Sequence, residues 1–291
     1  MKIFEGLSEH EEGAIRHTSL CVKYDEDAVI FLEGERAHAL YFILEGAVEI
    51  FSSSPEKKIV LNRLGPGNVF GEIGVLLPSH KRTASARTLK PTTLLKIPQD
   101  PVEFFQQIEF TQAAVRLMEN LIRIMADWLR EKSESKSEPT QELLFDIKDY
   151  NLRPSSALRV IEENLPKDLF SFFRGNRKVK PGEYLCLEGE ESDGFYFIHK
   201  GKLEVTKNRP HQSPEVQNRI EAPTIAGEAG FFSGEPRSVN LRAVSEVEYT
   251  LFSGKDYEKL KKHDPEKTIR LLRAVAHMLI HLIITLERKQ V

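Results

Sequence analysis

Cysteine is nearly absent. Cys21 and Cys186 are the only two among 291 residues. They do not occupy equivalent points of the internal repeat described below, so a disulfide framework is excluded and a reducing compartment is the natural setting. Charge of one sign is not in excess either: 41 Lys and Arg face 44 Asp and Glu, leaving −3. No global field then draws the chain onto nucleic acid or an acidic membrane. The local basic run Arg174, Arg177, Lys178 and Lys180 reads as a solvated face. Long apolar runs are missing. Met278 to Leu286 is interrupted by His281 and Thr285, and it is about half the length needed to span a bilayer. Residues 1–16 carry four Glu and no apolar core, which excludes a signal peptide. A soluble, cytoplasmic protein is expected. No His-x-His pair occurs, as a two-domain metal-dependent cupin would need, and no Gly-x-Ser-x-Gly nucleophile elbow. His277 and His281 have a metal-compatible i, i+4 spacing, but no Glu lies between them and no third ligand is apparent. They are read as a polar pair at a helix interface, and no metal is expected.

What is present is a duplication. Leu32-Glu33-Gly34-Glu35, Tyr41-Phe42-Ile43, Gly46 and Glu49 recur as Leu187-Glu188-Gly189-Glu190, Tyr196-Phe197-Ile198, Gly201 and Glu204, all 155 positions later. A second block recurs with them. Phe70-Gly71-Glu72-Ile73-Gly74 leads to Arg82-Thr83, and Ala226-Gly227-Glu228-Ala229-Gly230 leads to Arg237-Ser238.

Each copy contains short β-branched or aromatic runs punctuated by Gly, Pro, Asp and Asn. In the first they are Val29–Leu32, Ala39–Leu44, Val48–Ser52, Ile59–Leu64, Ser85–Leu89 and Thr92–Ile97. In the second they are Tyr184–Leu187, Gly194–His199, Lys202–Lys207, Gln217–Ile220, Asn240–Val244 and Glu246–Phe252. This spacing predicts small antiparallel sandwiches or barrels rather than βαβ units. At one turn the copies differ: Pro181-Gly182 is matched by Glu26-Asp27. Long helices are expected over Phe110–Glu131 and from Asp264-Pro265 onward, the latter opening with a cap residue and a proline at the first helical position. The polar stretch from Lys132 reads as a linker, and Gln141 to Phe173 as a helical lead-in. The boundaries are therefore 1–131, 132–140 and 141–291. The last helix carries two apolar stripes. Ile269, Leu272, Ala276, Leu279, Ile283 and Leu286 form one, and Leu271, Val275, Met278 and Leu282 the other. A second stripe asks for a second partner, so a homodimer is expected.

The Gly-Glu and Arg-hydroxyl pairs suit a sugar phosphate. A buried phosphate demands a cation and donors, and the fork of Arg82 or Arg237 matches two phosphate oxygens. Ile73-Gly74-Val75-Leu76-Leu77 reads as one helical turn with free N–H groups facing the anion. Gly71 and Gly227 allow close backbone approach. Thr83 and Ser238 add hydroxyl donors, Glu72 and Glu228 can accept from a ribose 2′-OH, and Ala84 is small against a ligand. In the second copy Val239 is bulkier than Ala84 and Asn240 stands where Ser85 does. Phe110 and Trp128 are aromatics that either stack on a base or belong to the core.

These motifs resemble the phosphate-binding cassette of the cyclic-nucleotide-binding domain family, which includes bacterial catabolite activators and regulatory subunits of cyclic-nucleotide-dependent kinases. The resemblance covers roughly 10–130 and 165–290. It implies a mainly β fold of two antiparallel jelly-roll barrels, each with flanking helices and a long C-terminal helix. It implies a ligand site of Gly71, Glu72, Ile73, Arg82, Thr83 and Ala84 in the first copy, and of Gly227, Glu228, Ala229, Arg237 and Ser238 in the second. Glu72 and Glu228 would contact ribose, and Arg82 and Arg237 the cyclic phosphate of cAMP or cGMP. The expected role is a non-enzymatic regulatory adaptor that relays ligand binding to an unknown effector by helix rearrangement. The alternative is a ligand-free scaffold for protein contacts. No winged helix-turn-helix follows the last helix, so no nucleic-acid partner is expected.

Overall fold

A computed structural model of the chain describes residues 2–53, 58–76, 81–98, 111–134 and 177–289. It is mainly β, with every paired strand antiparallel. The chain divides into two compact units. One takes in Met1–Asn120, and the other takes in Leu121–Ser135 and Arg153–Ile283.

The first unit opens with helix α1 (Glu9–Thr18), held by a reciprocal cap. The Glu11 N–H donates to Ser8 Oγ at 3.3 Å and the Ser8 N–H to Glu11 Oε2 at 2.8 Å. Strands β1 (Leu20–Tyr24), β2 (Val29–Phe31), β3 (Ala39–Ser53), β4 (Lys58–Leu64), β5 (Val69–Phe70) and β6 (Ser85–Pro98) follow, with helix α2 (Glu72–Leu76) between the last two; helix α3 (Thr111–Glu134) begins in this unit and ends in the second. The sheet order is β1-β6-β3-β4, with β2 paired to β6 and β5 to β3. Two pairs of expected strands are each one long strand. Gly46, at φ +101°, takes up register shifts between Ile43 and Val48, so β3 bends through the punctuating residues without stopping. Phe31, Tyr41, Ile43, Val48, Phe70 and Leu94 form the core of this sheet.

The second unit contains β7 (Arg177–Val179), β8 (Tyr184–Cys186), β9 (Gly194–Lys200), β10 (Lys202–Arg209), β11 (Gln212–Glu221), β12 (Thr224–Ala226), helix α4 (Glu228–Ser233), β13 (Asn240–Ala243), β14 (Val247–Ser253), and helices α5 (Gly254–His263) and α6 (Pro265–Lys289). Its strands form two four-stranded sheets, β11-β10-β13-β8 and β12-β9-β14-β7. The pairing is jelly-roll-like, as separate sheets rather than a closed ring of strands. The turn where the copies differ has one solution in both: Asp27 sits at φ +58° and Gly182 at φ +90°. Aspartate is among the few side chains that adopt this left-handed region readily.

Asp264 caps α6, its Oδ1 accepting from the Lys267 N–H at 2.9 Å. Residues of both apolar stripes of α6 are buried within the chain. Ile269, Leu272, Leu279 and Ile283 are buried, and so are Leu271, Val275 and Met278. Leu282 is half-buried. Helix α3 continues to Glu134, past the expected start of the linker, because a polar sequence can extend a helix that is already nucleated. Residues 135–140, the lead-in over 141–173, Arg174 and Phe110 lie outside the described residues. Of the basic run, Arg177, Lys178 and Lys180 are exposed, and Lys178 is ion-paired to Glu246 and Glu248. Among the described residues no helix is long and apolar enough to cross a membrane, and no group of three His, Cys, Asp or Glu is placed to hold a metal.

Candidate functional site

The repeated glutamates play two different parts. Glu49, 1% exposed, is bound by Arg63 at 3.2 Å and by Arg87 at 3.0 Å. Its counterpart Glu204 faces Arg219 at 2.9 Å and Arg242 at 3.8 Å. These are ion pairs within the sheets. Glu72 and Glu228 instead open the short helices α2 and α4, immediately after Gly71 and Gly227.

Each of those glycines faces an arginine. The Arg82 Nη1 donates to the Gly71 carbonyl at 2.8 Å and Nη2 to the Ala39 carbonyl at 2.7 Å. Arg237 repeats this on the Gly227 and Gly194 carbonyls, both at 2.7 Å. Both guanidinium side chains are buried, Arg82 to 3% exposure and Arg237 to 4%. Main-chain pairing holds their strands in the same way: Arg82 exchanges bonds with Gly34 and Glu35, and Arg237 with Gly189 and Glu190. Gly71 at φ +78° and Gly227 at φ +80° are required twice over. A Cβ there would stand 2.7 Å from Arg82 Nη1 and 2.6 Å from Arg237 Nη1, in a conformation that strains any L side chain. Buried Arg237 Nε has no hydrogen-bond partner among the described residues. A buried cation with an unused donor is costly unless something anionic completes it, so the residues present fit a phosphate.

The walls of the two cavities differ. Arg82 lies over the Phe31 ring at 3.9 Å, and Phe31, Tyr41 and Phe70 stack on one another at 5.2–5.9 Å. At the Phe31 and Phe70 positions the second copy has Cys186 and Ala226, and Arg237 lies 5.1 Å from the Tyr196 ring. Asp193 Oδ1 stands 3.8 Å from Arg237. Burial pushes the Cys186 thiol up to about 11, opposed by the Arg237 charge, which makes it a packing residue rather than a nucleophile. Burial lowers the Arg82 pKa, and Tyr41, Glu72 and Glu35 oppose that.

Two stretches, 21–108 and 176–264, match the family model described as "Cyclic nucleotide-binding domain", and together they make up more than half of the chain. The chain belongs to the cyclic nucleotide-binding domain family. It is 23% identical over 221 residues to human cGMP-dependent protein kinase 2, covering 76% of this chain and 24% of that protein. It is 23% identical over 276 residues to the cAMP-dependent protein kinase regulatory subunit of Yarrowia lipolytica, covering 91% of this chain and 62% of that one. The chain thus spans about a quarter to three fifths of the length of these relatives. Among solved structures it is similar to the regulatory domain of Toxoplasma gondii PKA with cAMP, at 19% identity and a TM-score of 0.33, covering 91% of this chain and 89% of that one.

Within these two family domains, Arg82 bonds the Gly71 carbonyl and is opposed in charge by Glu72, and Arg237 bonds the Gly227 carbonyl and lies in the field of Glu228. Ile73, Thr83, Ala229 and Ser238 are half-buried beside them, and Ala84 is buried. Glu228 is 2% exposed, and burial pushes its carboxyl up to about 7 against the opposing Arg237 charge. Glu72 is only half-buried. Asn240 takes over the task of Ser85: Ser85 Oγ accepts from the Glu33 N–H at 3.0 Å, and Asn240 Oδ1 from the Glu188 N–H at 2.9 Å. Val239 packs against the core of the second unit. Trp128 is half-buried on α3. Sequence reasoning missed the Ala39 and Gly194 carbonyls, Asp193 and the stacked aromatics. The repeated Tyr41 and Tyr196 were a signal for the last, because each lies two residues into the strand that opens with those carbonyls.

Proposed function

We propose that each copy binds one cyclic nucleotide and that the chain is a non-catalytic regulatory module. The observation that carries this is the buried Arg237 with its unused Nε donor, set against Gly227 where no side chain fits. In the first copy the ligand residues are Gly71, Glu72, Ile73, Arg82, Thr83 and Ala84. In the second they are Gly227, Glu228, Ala229, Arg237 and Ser238. The guanidinium meets the single charge of the cyclic phosphate, the glycine admits it, and the glutamate accepts from the ribose 2′-OH. The ligand is cAMP first and cGMP second, since similarity extends to a cAMP-dependent kinase regulatory subunit and to a cGMP-dependent kinase. Two ligand domains, 1–131 and 141–291 joined through 132–140, relay occupancy to an effector protein when α3 and α6 change their contacts, a population shift between two arrangements.

One observation favours the scaffold alternative: both Nη atoms of each arginine are already satisfied by main-chain carbonyls. Calorimetric titration with cAMP and cGMP separates the readings. The proposal expects micromolar or tighter binding, weakened at least about 100-fold at the affected site by Arg82→Ala or Arg237→Ala, as loss of a charge-assisted phosphate contact implies. An absence of heat with both nucleotides favours the scaffold.

A further inference from the structure

The two sites share their buried arginine but not the charge of the exposed residues beside it, which form the rim of each site. The segment that carries Arg82 pairs with the turn before β3, through the Arg82 N–H to the Glu35 carbonyl at 2.8 Å and through an isolated antiparallel bridge between Arg36 and Lys81. The second copy makes the same main-chain bond, from the Arg237 N–H to the Glu190 carbonyl at 2.8 Å. Equivalent rim positions therefore compare directly. Arg36 corresponds to Glu191, His38 to Asp193 and Lys81 to Pro236, each 155 positions on. All six are exposed. Neither Arg36 nor Lys81 is ion-paired among the described residues. Asp193, in contrast, stands 3.8 Å from Arg237 and offsets its charge.

The acids that act on the arginines from inside are common to both copies, Glu35 with Glu190 and Glu72 with Glu228, and Glu235, beside Arg237 with His80 as its counterpart, is ion-paired to Arg130 at 3.2 Å. The difference therefore stands. Arg36 and Lys81 place two positive charges at the first rim, while Glu191 and Asp193 place two negative charges at the second, a contrast of four charges. Opposite fields at the mouths of two similar cavities act differently on one anion. A basic mouth concentrates it and speeds its arrival, an effect that salt screens out beyond about 10 Å at 0.1 M. An acidic mouth slows arrival and leaves contacts inside the cavity to supply the affinity.

Resting on the reading that both cavities take a cyclic nucleotide, we propose that Arg36, His38 and Lys81 make the first site a salt-sensitive capture site, while Glu191 and Asp193 make the second a slow, salt-insensitive one. The two sites then sort one ligand by kinetics rather than by different contacts.

The test is stopped-flow binding of a fluorescent cAMP analogue to the full chain carrying Arg237→Ala, which leaves the first site, or Arg82→Ala, which leaves the second. Between about 0.03 M and 0.5 M salt, the association rate at the first site is expected to fall about tenfold, and that at the second to stay level or rise. Adding Arg36→Glu and Lys81→Glu to the first-site chain abolishes the fall. If those exposed changes lower stability, Arg36→Gln with Lys81→Gln is expected to halve the slope. Equal salt slopes at two sites that both bind overturn this inference and leave the proposed function standing. No binding at either site in the unsubstituted chain overturns both.

Discussion

At the scale of the residue, Glu228 makes the strongest physical claim. Its carboxyl, 4.5 in water, is pushed up to about 7 by burial. Between those two values the folded chain keeps a proton that the unfolded chain has lost, so each rise in pH favours unfolding. The stability contributed by the protonated form is full below about 4.5 and has been lost above about 7, a change on the order of 3 kcal/mol. Glu228→Gln should remove that slope. Urea unfolding of both proteins across pH 5–8 checks it, and parallel curves would refute it. Gly71→Ala sets a Cβ against Arg82 at φ +78°. It should cost about 1–2 kcal/mol of stability and weaken the first site while sparing the second, read by urea unfolding and site-resolved titration. Gly71, Glu72 and Arg82 could be found from the chain because their letters recur as Gly227, Glu228 and Arg237 at a spacing one residue shorter. The Ala39 and Gly194 carbonyls could not. A main-chain acceptor has no letter of its own, and which one an arginine reaches depends on a fold that sets residues 39 and 82 side by side.

At the scale of the element, the repeat predicts strands better than their ends. Ala39–Leu44 and Val48–Ser52 looked like two strands because Gly46 sits between them, yet a bulged strand passes straight through a glycine. β1, β5, β7 and β12 escaped notice because they are short and lack a clean alternation. Asn240 stands where Ser85 does and serves the same end. Its Oδ1 holds the Glu188 N–H, and its Nδ2 reaches the Thr206 carbonyl at 3.3 Å and Asn208 Oδ1 at 3.0 Å. Asn240→Ala leaves these groups without partners and should cost about 2–3 kcal/mol. Asn240→Ser, which restores the arrangement of the first copy, should cost less. Thermal unfolding of the two variants ranks them. Ser253 caps α5 through a reciprocal pair with Asp256. Ser253→Ala should cost about 1 kcal/mol, measured by the same transition.

At the scale of the whole molecule, duplication is what made the fold class readable. A Gly-Glu followed by an arginine is a weak signal alone, but two copies in the same strand pattern limit the architectures that can hold both. The oligomeric expectation read the two stripes of α6 as one too many for a single chain. Within the chain Ile269, Leu272, Ala276, Leu279 and Ile283 of one stripe and Leu271, Val275 and Met278 of the other are buried, and a helix packed on more than one side needs more than one apolar face. What duplication does not require is equivalence. The two buried arginines keep one geometry but differ in the rings beside them and in the burial of the neighbouring glutamate.

The central claim is that two buried guanidinium groups each complete themselves with a cyclic phosphate. Isothermal titration of cAMP into the intact chain, the two single variants and the Arg82→Ala, Arg237→Ala double variant tests it most directly. The account predicts two ligands per chain, then one in each single variant, then none. Binding that survives in the double variant, or fails in the intact chain with cAMP and cGMP alike, contradicts it.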